Sequence, residues 1–199
     1  MHRYHSATPS KFLHPYGWQI AMSLAILLLL LSGFSGQVQA QPATCANLLV
    51  DSSLEHGTGW VAKSNGQYAM LSTVQAHSGV RAAYLAGADN ADDLLSTKLS
   101  LPITAQSITL NFWWKVNSED EGDINDRLTV FVADSSGKTQ TALLTLASDS
   151  ASNRWQQSSL ELTPWAGDSI LLQFSAQTDE TSITDFFIDD VTVINCGAK

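Results

Sequence analysis

The sequence predicts an all-β fold: an antiparallel β-sandwich of the jelly-roll type with about ten strands. Three observations carry this. No stretch after residue 40 keeps a helical period for long. Short runs of strand character recur there, separated by Gly, Asp, Asn and Ser clusters. The only cysteines, Cys45 and Cys196, lie close to the two ends of that region. In an exported protein such a pair is most simply a disulfide, clipping the N-terminal strand to the C-terminal one. Closing so long a loop stabilises by about 5 kcal/mol on the chain-entropy model. A redox or metal-binding thiol is the alternative, and no Cys-x-x-Cys supports it.

Residues 1–40 read as a secretory signal peptide. Arg3 and Lys11 give a basic start, with no acid before Asp51. The apolar run "IAMSLAILLLLL" (20–31) is shorter than the about 20 residues a membrane span needs. Val38-Gln39-Ala40 is a small-x-Ala pattern of the kind signal peptidase accepts, which places cleavage after Ala40. An uncleaved anchor is the competing reading. Cleavage removes two of the 10 basic residues and none of the 19 acids, so 8 against 19 leaves residues 41–199 a formal charge of −11. Such a surface repels nucleic acid and anionic lipid and suits cations. The expectation is one domain, 41–199, secreted or held at the cell surface or in the periplasm. Neither nucleic acid nor stable membrane insertion is expected after cleavage.

The strands follow in order. "VRAAYLA" (80–86), "SITLNFWWKV" (107–116), "RLTVFVAD" (127–134), "WQQSSLEL" (155–162), "SILLQFSA" (169–176) and "FFIDDVTVI" (186–194) are the clearest. Alternation puts Ile108, Leu110, Phe112, Trp114 and Val116 on one face, with Thr109, Asn111, Trp113 and Lys115 on the other. It sends Leu128, Val130 and Val132 inward and leaves Thr129 and Phe131 outward. Ile170, Leu172 and Phe174 likewise point in, with Leu171 and Gln173 out. In the last strand, strict alternation sets Phe187, Asp189, Val191 and Val193 on one face and Asp190 on the other.

A carboxylate at Asp189, among apolar neighbours, needs a cation or hydrogen bonds. Asp51 and Glu55 lie on or beside the first strand, which the disulfide brings near the last. Oxygen donors with no adjacent His or Cys select calcium over zinc. An extracellular site with a dissociation constant near 10⁻⁴ M, in about 1 mM calcium, adds roughly 1.4 kcal/mol. The alternatives are pairing of Asp189 with Arg81 or Lys98, and capping by backbone N–H groups.

"NLLVDSSLEHGTGW", "HSGVRAAYLAGADNADDLLSTKLSLP", "ITLNFWWKV", "DRLTVFV", "LTPWAGDSILLQF" and "FFIDDVTV" occur in this order. Together they resemble the galactose-binding-like jelly-roll modules appended to secreted bacterial proteases and glycosidases, relatives of carbohydrate-binding modules and of MAM domains. The resemblance spans nearly all of 47–194. It implies a structural calcium shared by Glu55 and Asp189, with Asp190 the second choice. It also implies that Asp92 and Asp93 of "NADD" cap or tether a loop. "EDEGDIND" (119–126) is a further acidic run without EF-hand spacing, most simply a solvated turn.

No catalytic motif stands out. After residue 40 the only histidines are His56 and His77, with no G-x-S-x-G, no H-E-x-x-H and no phosphate-binding glycine loop. The chain reads as non-enzymatic. Its ligand is expected to be a glycan or an extracellular protein. For a glycan, Trp113 flanked by Asn111 and Lys115 forms a candidate stacking platform, which Thr129, Phe131 and Gln173 join if those strands are neighbours. Trp165, in the turn "TPWAGD", is the candidate loop-tip contact. Trp60, Trp114 and Trp155 read mainly as core or corner packing. The competing reading for Trp113 and Phe131 is burial under a crossing segment.

Overall fold

The computed structural model describes residues 44–119, 124–152 and 154–197. The chain divides between Ala40 and Gln41, and the described residues belong to the second part. The expected signal peptide lies outside them, as do residues 120–123 of the acidic run.

The described residues form eleven strands: β1 (Thr44–Asn47), β2 (Trp60–Ser64), β3 (Leu71–Ser72), β4 (Ala82–Leu85), β5 (Asp92–Ser100), β6 (Ser107–Ser118), β7 (Arg127–Asp134), β8 (Gln140–Ala147), β9 (Gln156–Glu161), β10 (Ser169–Gln177) and β11 (Thr184–Gly197). They form two antiparallel sheets. The first, sheet A, runs β3-β4-β11-β6-β9, with β1 also paired to β11. Sheet B runs β2-β5-β10-β7-β8. Every strand whose range the sequence delimits is present, with ends moved by a few residues at most. Cys45 and Cys196 are directly opposite in the β1–β11 ladder, 4.1 Å apart at Cα, and are joined by a disulfide.

The core lies between the sheets. Ile108, Leu110, Phe112 and Val116 of β6 meet Leu128 and Val130 of β7, Leu172 and Phe174 of β10, and Phe186 and Ile188 of β11, all 0% exposed. Phe112 and Phe174 cross edge to face at 5.3 Å, tying one sheet to the other. The alternation read for β6, β7 and β10 is the one observed.

β11 departs from strict alternation, and here the expectation is corrected. Asp189 pairs with Trp113 of β6, but Thr192 pairs with Asn111. Three steps on β11 match two on β6, so one residue is extra. It is a β-bulge, with Asp190 in the left-handed region at φ 47°. Aspartate enters that region more readily than bulky residues do. The bulge resets the phase of the strand. Phe186 and Ile188 face the core before it, and Val191 and Val193 face the core after it. Asp189 therefore does not share a face with Val191 and Val193. Both aspartates stand on the outer side of sheet A.

Candidate functional site

Two arrangements of chemistry-bearing side chains result, on opposite outer faces of the sandwich.

The first surrounds the bulge. Asp189 is 0% exposed, and its Oδ2 accepts hydrogen bonds from the backbone N–H groups of His77 (2.7 Å) and Ser78 (3.1 Å). Its Oδ1 accepts from the N–H of Asp190 at 2.7 Å. Asp190 holds the same two residues through their side chains. Its Oδ2 lies 2.6 Å from Nδ1 of His77, and its Oδ1 accepts from the Ser78 hydroxyl at 2.7 Å. Burial raises the Asp189 carboxyl above the ordinary carboxylate value, and the three N–H donors offset only part of that rise. Capping by backbone N–H groups, one of the alternatives to a cation, is thus present at Asp189.

Glu55 grips the far end of that segment. Its Oε1 accepts from the N–H groups of Val80 (2.8 Å) and Arg81 (3.1 Å), while the Arg81 guanidinium donates to the Glu55 carbonyl at 3.3 Å. Gly79, at φ +60°, sits where a Cβ would collide with the Glu55 carboxylate, so the "HSG" tripeptide needs its glycine. Segment 77–81 is therefore held at one end by β11 and at the other by the loop after β1. Asp51 acts elsewhere. Its Oδ2 accepts from the N–H groups of His56 (3.0 Å) and Thr58 (3.1 Å), closing its own turn. Of the four expected metal ligands, Glu55, Asp189 and Asp190 come onto one segment and Asp51 does not join them. Among the described residues, no group of three or more His, Cys, Asp or Glu is arranged to hold a metal ion. The donor chemistry at this clasp is hard oxygen, the type calcium takes.

The clasp covers the expected platform. The His77 ring lies flat on the Trp113 indole, centroids 4.0 Å apart at 13°, and meets Trp155 edge-on at 5.6 Å. Trp155 meets Phe187 at 6.5 Å, and Phe187 stacks on Tyr84 at 5.2 Å. Trp155 thus closes an aromatic layer outside sheet A instead of packing in the core. Trp113 is half-buried, with one ring face occupied. Asn111 and Lys115 are half-buried on the same face. Lys115 lines a cleft of about 440 Å³ with Gln75, Asn117 and Ser152.

The second arrangement is the outer face of sheet B. Thr129, Phe131 and Gln173 do not join Trp113, because β7 and β10 pair in the other sheet. They form a surface of their own. One row across the sheet reads Val61, Ser96, Gln173, Phe131 and Ala142. The row beside it reads Lys63, Leu94, Ser175, Thr129 and Thr145. Phe131 is half-buried. Gln173 points outward yet is only 5% exposed, and its Oε1 accepts from Nε2 of Gln140 at 3.0 Å. The hydroxyls of Thr129 and Thr145 meet at 3.2 Å. Among the described residues, no strand of sheet A crosses this surface.

Clefts lie at both ends of the sheet. One of about 460 Å³ is lined by Asp92, Asn125, Arg127, Gln177 and Asp179. The other, about 430 Å³, contains Trp165 with Asp134, Thr139 and Asp168. Trp165 is half-buried and also packs against the core. Asp93 tethers a loop: it is 0% exposed, and its Oδ2 accepts from the Ala86 N–H at 2.7 Å and from the Tyr68 hydroxyl. Burial and that carboxylate push the Tyr68 phenol up to about 12. Asp92, its neighbour, is exposed at the rim.

The family model for the MAM domain, meprin/A5/mu, matches residues 50–197. The chain belongs to the MAM domain family. No curated protein matches it. Among solved structures, this MAM domain is similar to TmCBM61 in complex with β-1,4-galactotriose, with a TM-score of 0.54 and 17% identity over 74% of this chain and 97% of that one. It is also similar to the K3 cleaved adhesin domain of Lys-gingipain from Porphyromonas gingivalis w83, at a TM-score of 0.50 and 20% identity over 75% and 98% of the two chains. An arabinose-bound MgGH51 α-L-arabinofuranosidase matches at a TM-score of 0.51 and 12% identity, over 75% of this chain and 26% of the enzyme's. At these identities the likeness concerns the fold.

Proposed function

We propose that this MAM domain is a secreted, non-catalytic carbohydrate-binding module whose ligand lies on the outer face of sheet B, over Phe131. The observation that carries the reading is a half-buried aromatic ring on an outer sheet face with amide and hydroxyl groups beside it: Gln140, which donates to the buried Gln173, and the half-buried Thr129, Ser96 and Ser175. A pyranose offers an apolar ring face for stacking and a rim of hydroxyls for hydrogen bonds, and this surface supplies both. The likeness to a module solved with a galactotriose supports the choice of ligand class. Trp113 and Trp165, expected from the sequence as stacking residues, take other parts in the proposal. Trp113 is a fastener under His77, and Trp165 borders the end of the ligand path.

Calcium belongs to the proposal as a staple of the Glu55–Asp189–Asp190 clasp, with no part in chemistry. Its support is the hard-oxygen chemistry of these carboxylates, which grip the two ends of segment 77–81 and do not themselves form a three-carboxylate group. If wild-type protein melts at the same temperature in 1 mM calcium and in chelator, calcium leaves the proposal.

A glycan array probed with wild type, Phe131→Ala and Trp113→Ala tests the main reading. Binding lost in the Phe131 variant and kept in the Trp113 variant is the expected result. The reverse pattern moves the site to sheet A. A second reading, an adhesive module that binds protein, draws on the covered ring of Trp113 and on the likeness to an adhesin domain. Folded wild type that binds no glycan on the array selects it.

A further inference from the structure

Resting on the sheet B reading above, we propose that the preferred ligand is an acidic polysaccharide, recognised by Lys63, Lys98 and Arg127 around the Phe131 row. Residues 41–199 carry 19 acids against 8 basic residues, yet charge is not spread evenly over the sandwich. At its strand positions among the described residues, the outer face of sheet A bears Glu161, Asp185, Asp189 and Asp190 against Lys115, with Arg81 on the segment clasped by Glu55. The outer face of sheet B reverses the sign. Alternation along β2, β5 and β7 points Lys63, Lys98 and Arg127 outward, and the acid on those strands' outer positions at that face is Asp92, at its margin.

All three cations are exposed, and among the described residues their side chains make no ion pair. The register places them around the ring. Lys63 lies one row to one side of the Phe131 row, and Lys98, opposite Leu171 of β10, one row to the other. Arg127 lies on the Phe131 strand itself, two rows beyond, in the cleft that Asn125, Gln177, Asp92 and Asp179 also line, so an anion meets the guanidinium there beside two carboxylates. From Phe131 to the β5 row is two strand spacings, about 10 Å. A chain of sugar rings stacked on Phe131 therefore passes between lysines on one side and reaches a guanidinium along β7. Guanidinium forks and ammonium groups recognise carboxylate or sulfate. A basic strip on an otherwise acidic protein also steers an anionic polymer to this face and away from sheet A.

The test measures binding of the purified protein to polygalacturonate, its carboxyl-reduced neutral counterpart, dextran sulfate and single-stranded DNA, in low and high salt. Wild type should bind polygalacturonate about tenfold or more tightly than the neutral polymer, with the preference shrinking in high salt. The Lys63→Gln/Lys98→Gln double variant and Arg127→Gln should each lose several-fold, at unchanged melting temperature. Phe131→Ala should weaken binding to every glycan about tenfold. Dextran sulfate against polygalacturonate tells a sulfated ligand from a carboxylated one, either of which upholds an acidic sugar. Equal binding to the neutral polymer overturns this inference and leaves the glycan reading standing. No binding to any polymer by folded protein removes both. Single-stranded DNA bound as tightly as polygalacturonate overturns the assignment to a sugar.

Discussion

The two outer faces of this sandwich start from the same pattern and end in opposite states. Each presents an aromatic residue at an outward strand position, Trp113 in β6 and Phe131 in β7, flanked by polar neighbours. On sheet A the connection between β3 and β4 folds back over the ring. His77 is seated there by two aspartates that a bulge has turned to the same side. Among the described residues no such segment is anchored on sheet B, and the cations face outward. Whether an outward aromatic becomes a fastener or a platform depends on which loop has carboxylates waiting for its backbone N–H groups.

If sheet A holds the fold and sheet B holds the ligand, perturbations should separate along that line. The largest effect expected is on the Cys45–Cys196 bond. Cys45→Ser with Cys196→Ser should cost about 4 kcal/mol of stability in denaturant unfolding, with glycan affinity of the folded fraction unchanged. Loss of affinity in protein that is still folded would tie the platform to sheet A and break the comparison. Next comes Asp189→Ala, which strips a buried acceptor from three N–H donors and should cost about 3 kcal/mol. Its signature is faster hydrogen exchange at His77 and Ser78, while sheet B amides keep wild-type protection.

A smaller pair sharpens the contrast directly. Trp113→Ala should lower stability by about 2 kcal/mol through lost stacking and packing and leave glycan binding intact. Phe131→Ala should change stability less and weaken binding about tenfold, or about 1.4 kcal/mol. Calorimetry and titration on the same two variants give all four numbers. Equal effects of both variants on both measurements would erase the distinction between the faces.

The smallest effect is a pH profile. Burial raises Asp185 and Asp189 above the ordinary carboxylate value, so in the folded state they take protons before the unfolded chain does. Their contribution to stability therefore grows as pH falls from neutral toward about 4. Hydrogen bonds hold Asp134, Glu161 and Asp179 below that value, through Ser136, Thr163 and Thr181 respectively. Their contribution is present above about pH 4 and is lost below it. The melting temperature should rise slightly on mild acidification and then fall. Asp189→Asn should flatten the rise and spare the fall, and an unchanged profile in that variant would show that Asp189 does not titrate differently in the two states.

Much of the fold was legible in the chain because its cause is local. A period of two marks the core side of β6, β7 and β10 without reference to any partner. Cysteines near both ends of the domain, in a chain read as exported, leave one natural pairing. The site was less legible. Glu55, Asp189 and Asp190 do meet, but on backbone N–H groups of 77–81, and His77 had no flanking signal beyond the "HSG" that precedes β4. Asp189-Asp190 in an otherwise apolar strand was the available hint of a bulge, since strict alternation would leave one carboxylate toward the core.

By itself, then, the sequence determined the strands, their buried faces, the terminal disulfide and a strongly acidic balance. Each follows from the order of residue types along one segment or from their count. Only the tertiary structure decided that Trp113 and Phe131 lie on opposite faces, that Val191 and Val193 face the core, and that His77 sits on Trp113. Those outcomes depend on which strands pair and on one extra residue in β11. Pairing partners far apart in the chain are chosen by how the whole core closes, and no local period encodes that choice.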